Sequence, residues 1–404
     1  NTNIFPKNLI TLHKFNFLYK SMTIGILLPG STLYPSIGMD FLQGLKSSFE
    51  YHKYTDLDFK IDIIGYGLKD EELYAVAEKY LIVDNAELVI AYLEDYHAAK
   101  LSPLFAAAGK LLIIVNAGAN YPDISISQIK NTIFHSLNDS LCCFLTGKYV
   151  TKKAEGITAI MATSFFDGGY RHTHAMTNAF TNSGGTIEHN YVSHYKKEAF
   201  NTDTLTTFIE ESADVKNLLA IFSGDSARFF YEKLADISSK AHLNWYCSPM
   251  MFDCTPGVFE EAKPDDPMTI KGYTFWLPEL ENKINHAFLE YYRAKNNKEA
   301  NLFSMQGWET ALLVMEYLQQ LKNTPNCESA IIQLISKEIK SPRGTIFINK
   351  ERYIIAPAYL VSASGKLQIT IEETISDTTE PWQEMVAQIP DELYTSWRNT
   401  YLCI

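Results

Sequence analysis

The sequence lacks several features that mark large classes of proteins. Its 404 residues include 6 cysteines, and no two of them form a C-x-x-C pair. A disulfide scaffold or a cysteine-based metal framework is therefore not indicated. The longest apolar runs, Leu111–Gly118 and Ile157–Phe166, have roughly half of the ~20 residues that a membrane-spanning helix needs. The sequence predicts no transmembrane segment.

Basic residues are also scarce. The chain has 35 Lys and Arg against 47 Asp and Glu, which gives a net charge of −12. A protein with this charge repels a phosphate backbone, so nucleic acid is not an expected partner. The chain also lacks the G-x-G-x-x-G turn of dinucleotide-binding proteins, the phosphate-binding loop and the G-x-S-x-G motif of hydrolases. The sequence therefore predicts no catalytic residue and no cofactor.

Histidine and cysteine spacing gives no metal prediction. His172, His174, His189 and His194 lie within 23 residues, but their spacing does not match that of a zinc-binding helix. Surface histidines are the expected outcome. Cys247 and Cys254 are close enough for a local bridge, while buried free thiols are the alternative, and the sequence leaves both open.

Short apolar runs alternate with amphipathic stretches from Ser21 onward. Ile24–Leu28 is typical of a buried strand, and the next stretch places Met39, Leu42 and Phe49 on one helical face. The same alternation continues to about residue 120 and restarts at Ile157. It predicts two successive parallel sheets flanked by helices.

The last third of the chain has a different pattern. Three helices without intervening strands are predicted, and they are followed by a small β-meander. The helices are Glu279–Asn296, Met305–Lys322 and Glu328–Lys340, and the strands of the meander are Gly344–Asn349, Tyr353–Val361 and Lys366–Glu372. Apolar spacing in the tail from Trp382 to Trp397 predicts that this tail docks on one lobe.

Four short segments carry a resemblance to a known family. They are Ile24–Pro29, Ile37–Leu45, Phe166–Tyr170 and Ser341–Gly344. In this order and spacing they resemble the type I periplasmic binding proteins of the branched-chain amino acid and amide group, which are the solute receptors of ABC importers. The resemblance extends from about Thr23 to about Leu367.

The resemblance implies an α/β fold of two doubly wound parallel-sheet lobes joined by a three-strand hinge, with a small β-meander near the C-terminus. The N-terminal lobe would comprise residues 21–136 and 277–343, and the C-terminal lobe residues 137–276 and 344–404. Crossovers would lie near Phe134–Leu137, Gly272–Leu277 and Arg343–Thr345. The ligand would bind in the cleft between the lobes, which agrees with the general rule that ligands bind beyond the carboxyl ends of parallel strands.

The candidate binding residues come from the loops that follow strands and from the start of one late helix. They are Ser31, Tyr34, Asp95, Tyr96, Ala117, Ala119, Asn120, Phe166, Asp167, Tyr170, Asp225, Met251 and Trp308. No catalytic or metal-binding residue is among them.

The candidate site differs from the family pattern at three positions. Amino-acid-binding members usually carry Ser or Thr where this chain aligns Asp95-Tyr96, and the positions of Ala117 and Ala119 lack the family's hydroxyl. A carboxylate at Asp95 would repel the carboxylate of an amino acid. With Asp167 and Asp225 nearby in the loops, the balance favours a ligand that donates hydrogen bonds, such as an amine or a polyol. The alternative is that these Asp residues cap helices or form turns.

The function predicted from these observations is a non-enzymatic solute-binding protein. It would be a monomer, would deliver a small polar solute to an ABC permease, and would be periplasmic or exported to the cell envelope with a signal peptide outside this sequence. One alternative is the ligand-sensing extracellular domain of a receptor. A more remote one is a two-lobed glycosyltransferase-like enzyme, for which Asp56, Asp58, Asp62 and Asp265-Asp266 are the close acidic pairs.

Overall fold

The computed structural model describes residues 21–126, 129–153, 157–212, 214–238, 243–252, 269–364, 368–390 and 397–402. Helices and strands alternate through the first two thirds of this part of the chain, as predicted. Among the described residues, no helix combines the length and apolar character that a bilayer crossing requires.

The first lobe is built on a five-stranded parallel sheet in the order β2-β1-β3-β4-β5. Its elements are β1 (Met22–Leu28), α1 (Ile37–Tyr51), β2 (Leu57–Ile63), α2 (Asp70–Ile82), β3 (Leu88–Tyr92), α3 (Ala98–Ala108), β4 (Leu111–Asn116) and β5 (Thr132–Ser136). Every residue of β3, β4 and β5 is buried, as in a sheet covered by helices on both faces.

The second lobe is built on a seven-stranded sheet in the order β15-β14-β10-β9-β8-β6-β7. Its first elements are α4 (Asp139–Lys153), β6 (Thr158–Thr163), α5 (Arg171–Asn182), β7 (Thr186–Val192), α6 (Asp203–Glu211), β8 (Asn217–Ile221), α7 (Gly224–Ser238), β9 (Asn244–Cys247) and β10 (Thr269–Thr274). Strands β6 to β10 are mutually parallel, whereas β14 and β15 are antiparallel at one edge.

The last third of the chain returns to the first lobe and then crosses again to the second. Its elements are α8 (Lys283–Asn296), α9 (Leu302–Leu321), α10 (Cys327–Leu334), β11 (Ile339–Ser341), β12 (Gly344–Ile348), β13 (Ile354–Ile355), β14 (Ala358–Ser364), β15 (Gln368–Ile375) and α11 (Thr379–Ala387). Strands β11 to β13 form a small antiparallel sheet.

Two details differ from the sequence prediction. The predicted helix Glu328–Lys340 ends at Leu334, because Ile335 is extended, Ser336 has φ 63°, and β11 pairs with β12. The strands assigned to the β-meander also divide between two sheets, because β14 pairs with β10 from Tyr359 to Ser364. The small sheet and the two doubly wound layers are confirmed, while the exact lobe boundaries stay a prediction.

Helices α1 and α9 pack at very short distance in the first lobe. A Cβ atom placed on Gly44 would lie 1.9 Å from the carbonyl oxygen of Ser304, and one on Gly307 would lie 2.0 Å from that of Phe41. Only glycine allows the two backbones to approach this closely. Helix α9 begins with a reciprocal capping box between Asn301 and Ser304, which fixes the start of the helix at this crossing.

Candidate functional site

The loops at the carboxyl ends of both sheets face one cavity of about 1450 Å³. From the first lobe it is lined by residues that follow β2, β3 and β4, and from the second lobe by residues that follow β6 and β7. The lining residues are Tyr66, Leu68, Glu94, Asp95, Tyr96, Asn120, Tyr121, Pro122, Asp123, Ile124, Ser125, Phe165, Phe166, Arg171, Tyr195, Val386, Ile389, Pro390, Trp397, Arg398, Asn399 and Leu402. This cavity is where parallel strands of a doubly wound fold place a ligand.

Four of the residues predicted from the sequence line this cavity, namely Asp95, Tyr96, Asn120 and Phe166. Three more contact a segment of the chain that lies beside it. This segment is Trp397–Leu402, which we call the cleft segment. Ser31 and Tyr170 form hydrogen bonds with Tyr401, and the ring of Tyr34 packs against that of Tyr401. Five of these seven residues follow strands of the first sheet, and their contact with a ligand stays a prediction.

Other predicted residues have partners elsewhere. The side chain of Asp225 is 73% exposed and pairs with Arg228 on the same helix. Met251 is buried, and its carbonyl oxygen accepts a hydrogen bond from Tyr231. Trp308 is fully buried among the aromatic side chains of α1 and α8 and is absent from the cavity lining. Its role in the structure is helix packing.

Ala117 and Ala119 are buried, and their carbonyl oxygens serve the second lobe. That of Ala117 accepts from Asp139 N, and that of Ala119 accepts from His172 N. Asp167 is also fully buried, where its carboxylate accepts hydrogen bonds from Ser164 and Ser223. These residues support the loops that form the cleft.

Asp95 is held by the chain's own donors. Its Oδ1 accepts from Asn116 Nδ2 at 2.8 Å, and its Oδ2 accepts from the hydroxyl of Tyr353 at 2.9 Å. Burial raises the pKa of Asp95 to about 6. Most of the acceptor capacity of this carboxylate is therefore used before a ligand arrives.

Sequence reasoning missed Glu94, which directly follows β3. Its Oε1 accepts hydrogen bonds from the backbone N–H and the hydroxyl of Thr400 in the cleft segment. Burial raises the pKa of Glu94 to about 8. The available signal was its place in the same loop as Asp95, but spacing alone does not show which carboxylate faces the cleft.

The raised pKa of Glu94 predicts a dependence of stability on pH. The unfolded chain releases this proton near pH 4.5, whereas the folded chain keeps it to about pH 8. Between these values the unfolded state binds fewer protons, so the free energy of unfolding falls as pH rises. The melting temperature of Glu94→Gln, measured from pH 5 to 9, should fall less steeply than that of the unmodified chain. Parallel slopes for the two proteins would contradict the assignment.

Seven aromatic side chains contribute to the walls of the cavity, together with acidic and basic groups. The ring of Trp397 lies 5.9 Å from each of the rings of Phe165 and Phe166. The guanidinium of Arg398 lies 5.6 Å from the centre of the Tyr96 ring. A cavity of this kind binds the faces of a planar solute through stacking and edge contacts.

One buried cluster has the composition of a metal site. Ligand atoms of Asp139, Cys143 and His172 lie within 4.8 Å of one another, and all three residues are buried. In the structure these groups bond to each other: His172 Nδ1 lies 3.1 Å from Asp139 Oδ2, and the thiol of Cys143 donates to Asp139 Oδ1. The absence of a metal stays a prediction.

The acidic residues and cysteines considered in the sequence have the following places in the structure. Among the acidic residues considered for an enzyme, Asp58 and Asp62 lie on the edge strand β2. Asp58 pairs with Lys60 of the same strand, and Asp62 pairs with Lys79 of α2. Asp265-Asp266 and Cys254 lie outside the described residues. Cys247 is buried, and burial raises the pKa of its thiol well above the ordinary value.

Comparison with known proteins decides the family. A family model described as periplasmic binding protein matches residues 21–367. The chain belongs to the periplasmic binding protein family. The resemblance recognised in the sequence is thereby confirmed, and so is the prediction of a binding protein. A search of curated proteins finds no match for this periplasmic binding protein.

Solved structures agree on the fold. A solute-binding protein of an ABC transporter from Rhodopseudomonas palustris BisB5, in complex with 3,4-dihydroxybenzoic acid, is 15% identical, with coverage of 90% of this chain and 99% of the other and a TM-score of 0.70. An ABC transporter substrate-binding protein from Sphaerobacter thermophilus is 16% identical (88% and 98% covered, TM-score 0.74). LivJ from Streptococcus pneumoniae, in complex with isoleucine, is 13% identical (88% and 99% covered, TM-score 0.66).

The cleft segment lies outside the part of the chain that matches the family model. The family match of this periplasmic binding protein ends at residue 367, so the segment Trp397–Leu402 lies beyond it. The family and the structures above are binding proteins. Their common two-lobed fold is the one predicted for this chain.

Proposed function

We propose that this periplasmic binding protein takes one small polar solute with a planar ring into the cleft between its lobes and presents it to an ABC permease. The main observation in support is the cavity that loops of both sheets line. A solute that contacts both lobes binds the closed form better and shifts the population toward it. The closed shape is then the signal for the permease.

The choice of a ring-bearing solute rests on the groups that line the cavity. The sequence analysis favoured an amine or a polyol because of three Asp residues. Two of these, Asp95 and Asp167, accept hydrogen bonds from the chain itself, and Asp225 is exposed. The aromatic rings of the cavity wall provide the larger recognition surface. The benzoates bound to two of the similar structures are also solutes with a planar aromatic ring.

Family membership supports the other parts of this proposal. Proteins of the periplasmic binding protein family are exported, so we place this chain in the periplasm or at the cell envelope. We also propose that it acts as a monomer, with its lobes divided at the predicted boundaries.

A thermal-shift screen tests this function. The panel contains benzoates, amino acids, amines, polyols and sugars, and a solute at 100 times its dissociation constant should add about 2.7 kcal/mol to the free energy of unfolding. We expect a benzoate-like member to raise the melting temperature. Phe166→Ala should weaken that binding by about tenfold or more, because its ring lines the cavity.

Asp225→Asn is the matched control. Because the Asp225 side chain is exposed, this substitution should leave the affinity within about threefold. A chain that no member of the panel stabilises would contradict the proposed function. An effect of Asp225→Asn as large as that of Phe166→Ala would place the solute outside the cavity.

A further inference from the structure

Part of the space between the lobes is filled by the chain itself. The cleft segment forms hydrogen bonds with residues that follow strands of both sheets. On the first-lobe side, the hydroxyl of Ser31 donates to the carbonyl oxygen of Tyr401 at 2.5 Å, and Asn399 donates to the carbonyl oxygen of Tyr66 at 2.6 Å. On the second-lobe side, the backbone N–H of Tyr401 donates to the hydroxyl of Tyr170 at 3.0 Å. The segment thus bridges the lobes as a ligand would.

The phenol of Tyr401 lies in a site that satisfies all of its groups. The residue is fully buried, and its hydroxyl donates to the carboxylate of Asp139. The ring of Tyr34 meets that of Tyr401 at 5.7 Å and 89°, and the ring of Tyr170 meets it at 5.4 Å and 77°. Both are edge-to-face contacts, which stabilise aromatic pairs. A hydroxyl that donates to a buried carboxylate forms a strong, charge-assisted bond.

The residues around Tyr401 are ones that strand position alone marks as ligand-binding. Ser31 and Tyr34 follow β1, and Tyr170 lies in the loop between β6 and α5. The bonds that a solute would form with these groups are made by the cleft segment in this conformation. The segment therefore occupies positions that the sequence analysis assigned to the solute, beside the cavity that it also lines.

The backbone of Tyr401 indicates that the contacts impose this conformation. Its φ is 58°, in the left-handed region. Bulky residues rarely adopt this region, and they do so where the surroundings determine the conformation. The segment is held by its cleft contacts against its local preference, so a solute that takes over those contacts also releases this strain.

We propose that the Tyr401 pocket is a phenol-recognition site of the cleft, which the cleft segment occupies until a phenolic solute with adjacent carbonyl and N–H groups displaces it. This inference rests on the proposed function and narrows its solute class to phenols. The carboxylate of Asp139 accepts a hydrogen bond from the phenol hydroxyl, Tyr34 and Tyr170 contact the ring, and Ser31 and Tyr170 form hydrogen bonds with the neighbouring polar groups.

Displacement has a measurable cost in affinity. A solute that binds only the open pocket has an apparent dissociation constant raised by the inverse of the open fraction. If the segment is docked in 99% of molecules, the apparent affinity falls about 100-fold. The segment belongs to the same chain as the pocket, so it competes intramolecularly and a weak solute displaces little of it.

Isothermal titration calorimetry with two matched probes tests the inference. N-acetyltyrosinamide carries the phenol and both peptide groups of residue 401, and N-acetylphenylalaninamide lacks only the hydroxyl. A variant without residues 397–402 should bind the tyrosine probe at least tenfold more tightly than the full chain. It should also prefer this probe over the phenylalanine probe by about tenfold, as one charge-assisted hydrogen bond implies. Adding Asp139→Asn should narrow that preference without weakening the phenylalanine probe.

A point variant of the full chain controls for misfolding of the deletion variant. Tyr401→Ala keeps the segment but removes the ring and hydroxyl, and it should show the same gain in affinity for the tyrosine probe. In the unmodified chain, saturation with the tyrosine probe should speed hydrogen exchange at the amides of residues 399–401.

The outcomes separate this inference from the proposed function. Equal affinity of the tyrosine probe for the full chain and both variants would show that the segment does not compete. Equal binding of the two probes, or no binding of either, would show that the pocket does not recognise phenols. If another solute of the panel stabilises the full chain and the deletion equally, the proposed function stands and only this inference fails.

Discussion

Glu309→Ala is expected to lower the free energy of unfolding by about 3–5 kcal/mol, because it leaves a buried arginine without its partner. Glu309 and Arg343 are both fully buried. Arg343 Nε lies 3.1 Å from both carboxylate oxygens of Glu309, and His135 Nε2 lies 2.8 Å from one of them. Arg343 also donates to the carbonyl oxygens of Ser136 and Leu137. This network ties together two of the segments at which we predict crossovers between the lobes.

The charges of Glu309 and Arg343 explain the size of this expected loss of stability. Burial alone would raise the pKa of Glu309, but the charges and hydrogen bonds of Arg343 and His135 together outweigh it and hold the pKa well below its ordinary range. The stabilising contribution is therefore complete above the pKa of an ordinary Glu and is lost as the pH falls through the lower folded value.

Chemical denaturation of Glu309→Ala and of a control on the same helix measures the effect. Glu316 pairs with Lys337 at the partly exposed end of α9, and Glu316→Ala should cost less than about 1 kcal/mol. A loss in Glu309→Ala no larger than in Glu316→Ala would show that Arg343 is stable without its partner.

Gly44→Ala is expected to destabilise the first lobe by about 2–3 kcal/mol through overpacking. Its new methyl group would lie 1.9 Å from the carbonyl oxygen of Ser304, and this neighbour is backbone that cannot rotate away. Helices α1 and α9 would have to move apart along their contact. Alanine favours a helix over glycine by about 1 kcal/mol, so a net loss reports the clash alone.

Met39→Ala is the control for this second substitution. Met39 lies on α1 with 55% of its surface exposed, and its replacement should change stability by no more than about 0.5 kcal/mol. Both variants would be compared by urea denaturation. A Gly44→Ala protein as stable as the parent would mean that the two helices are free to separate.

Local patterns predicted most of the fold. Apolar alternation located the strands and helices of both sheets, because each element has its own periodicity. The end of α10 was missed because Ser336 turns there and β11 pairs with β12, a contact that residue spacing does not report. The assignment of β14 to the second sheet depends on its pairing with β10, about ninety residues earlier in the chain.

The candidate site was predictable only at the level of loops. Chain position shows that Asp95 and Asp225 both follow strands, but not that one is buried in the cleft wall and the other exposed. Tyr401 could not be found in this way, because its partner Ser31 is 370 residues away in the sequence. The apolar spacing of the tail predicted docking on one lobe, whereas the cleft segment contacts both.

The position of Trp397 makes the tryptophan fluorescence of the protein a probe of the cleft. The chain contains five tryptophans, and Trp245, Trp276, Trp308 and Trp382 are buried. Trp397 is the half-exposed member of the set and stands in the cleft beside Phe165 and Phe166. The displacement proposed above would carry this indole into water, whereas the other four are buried and do not line the cavity. Intrinsic fluorescence therefore reports the occupancy of the cleft without a dye or a label.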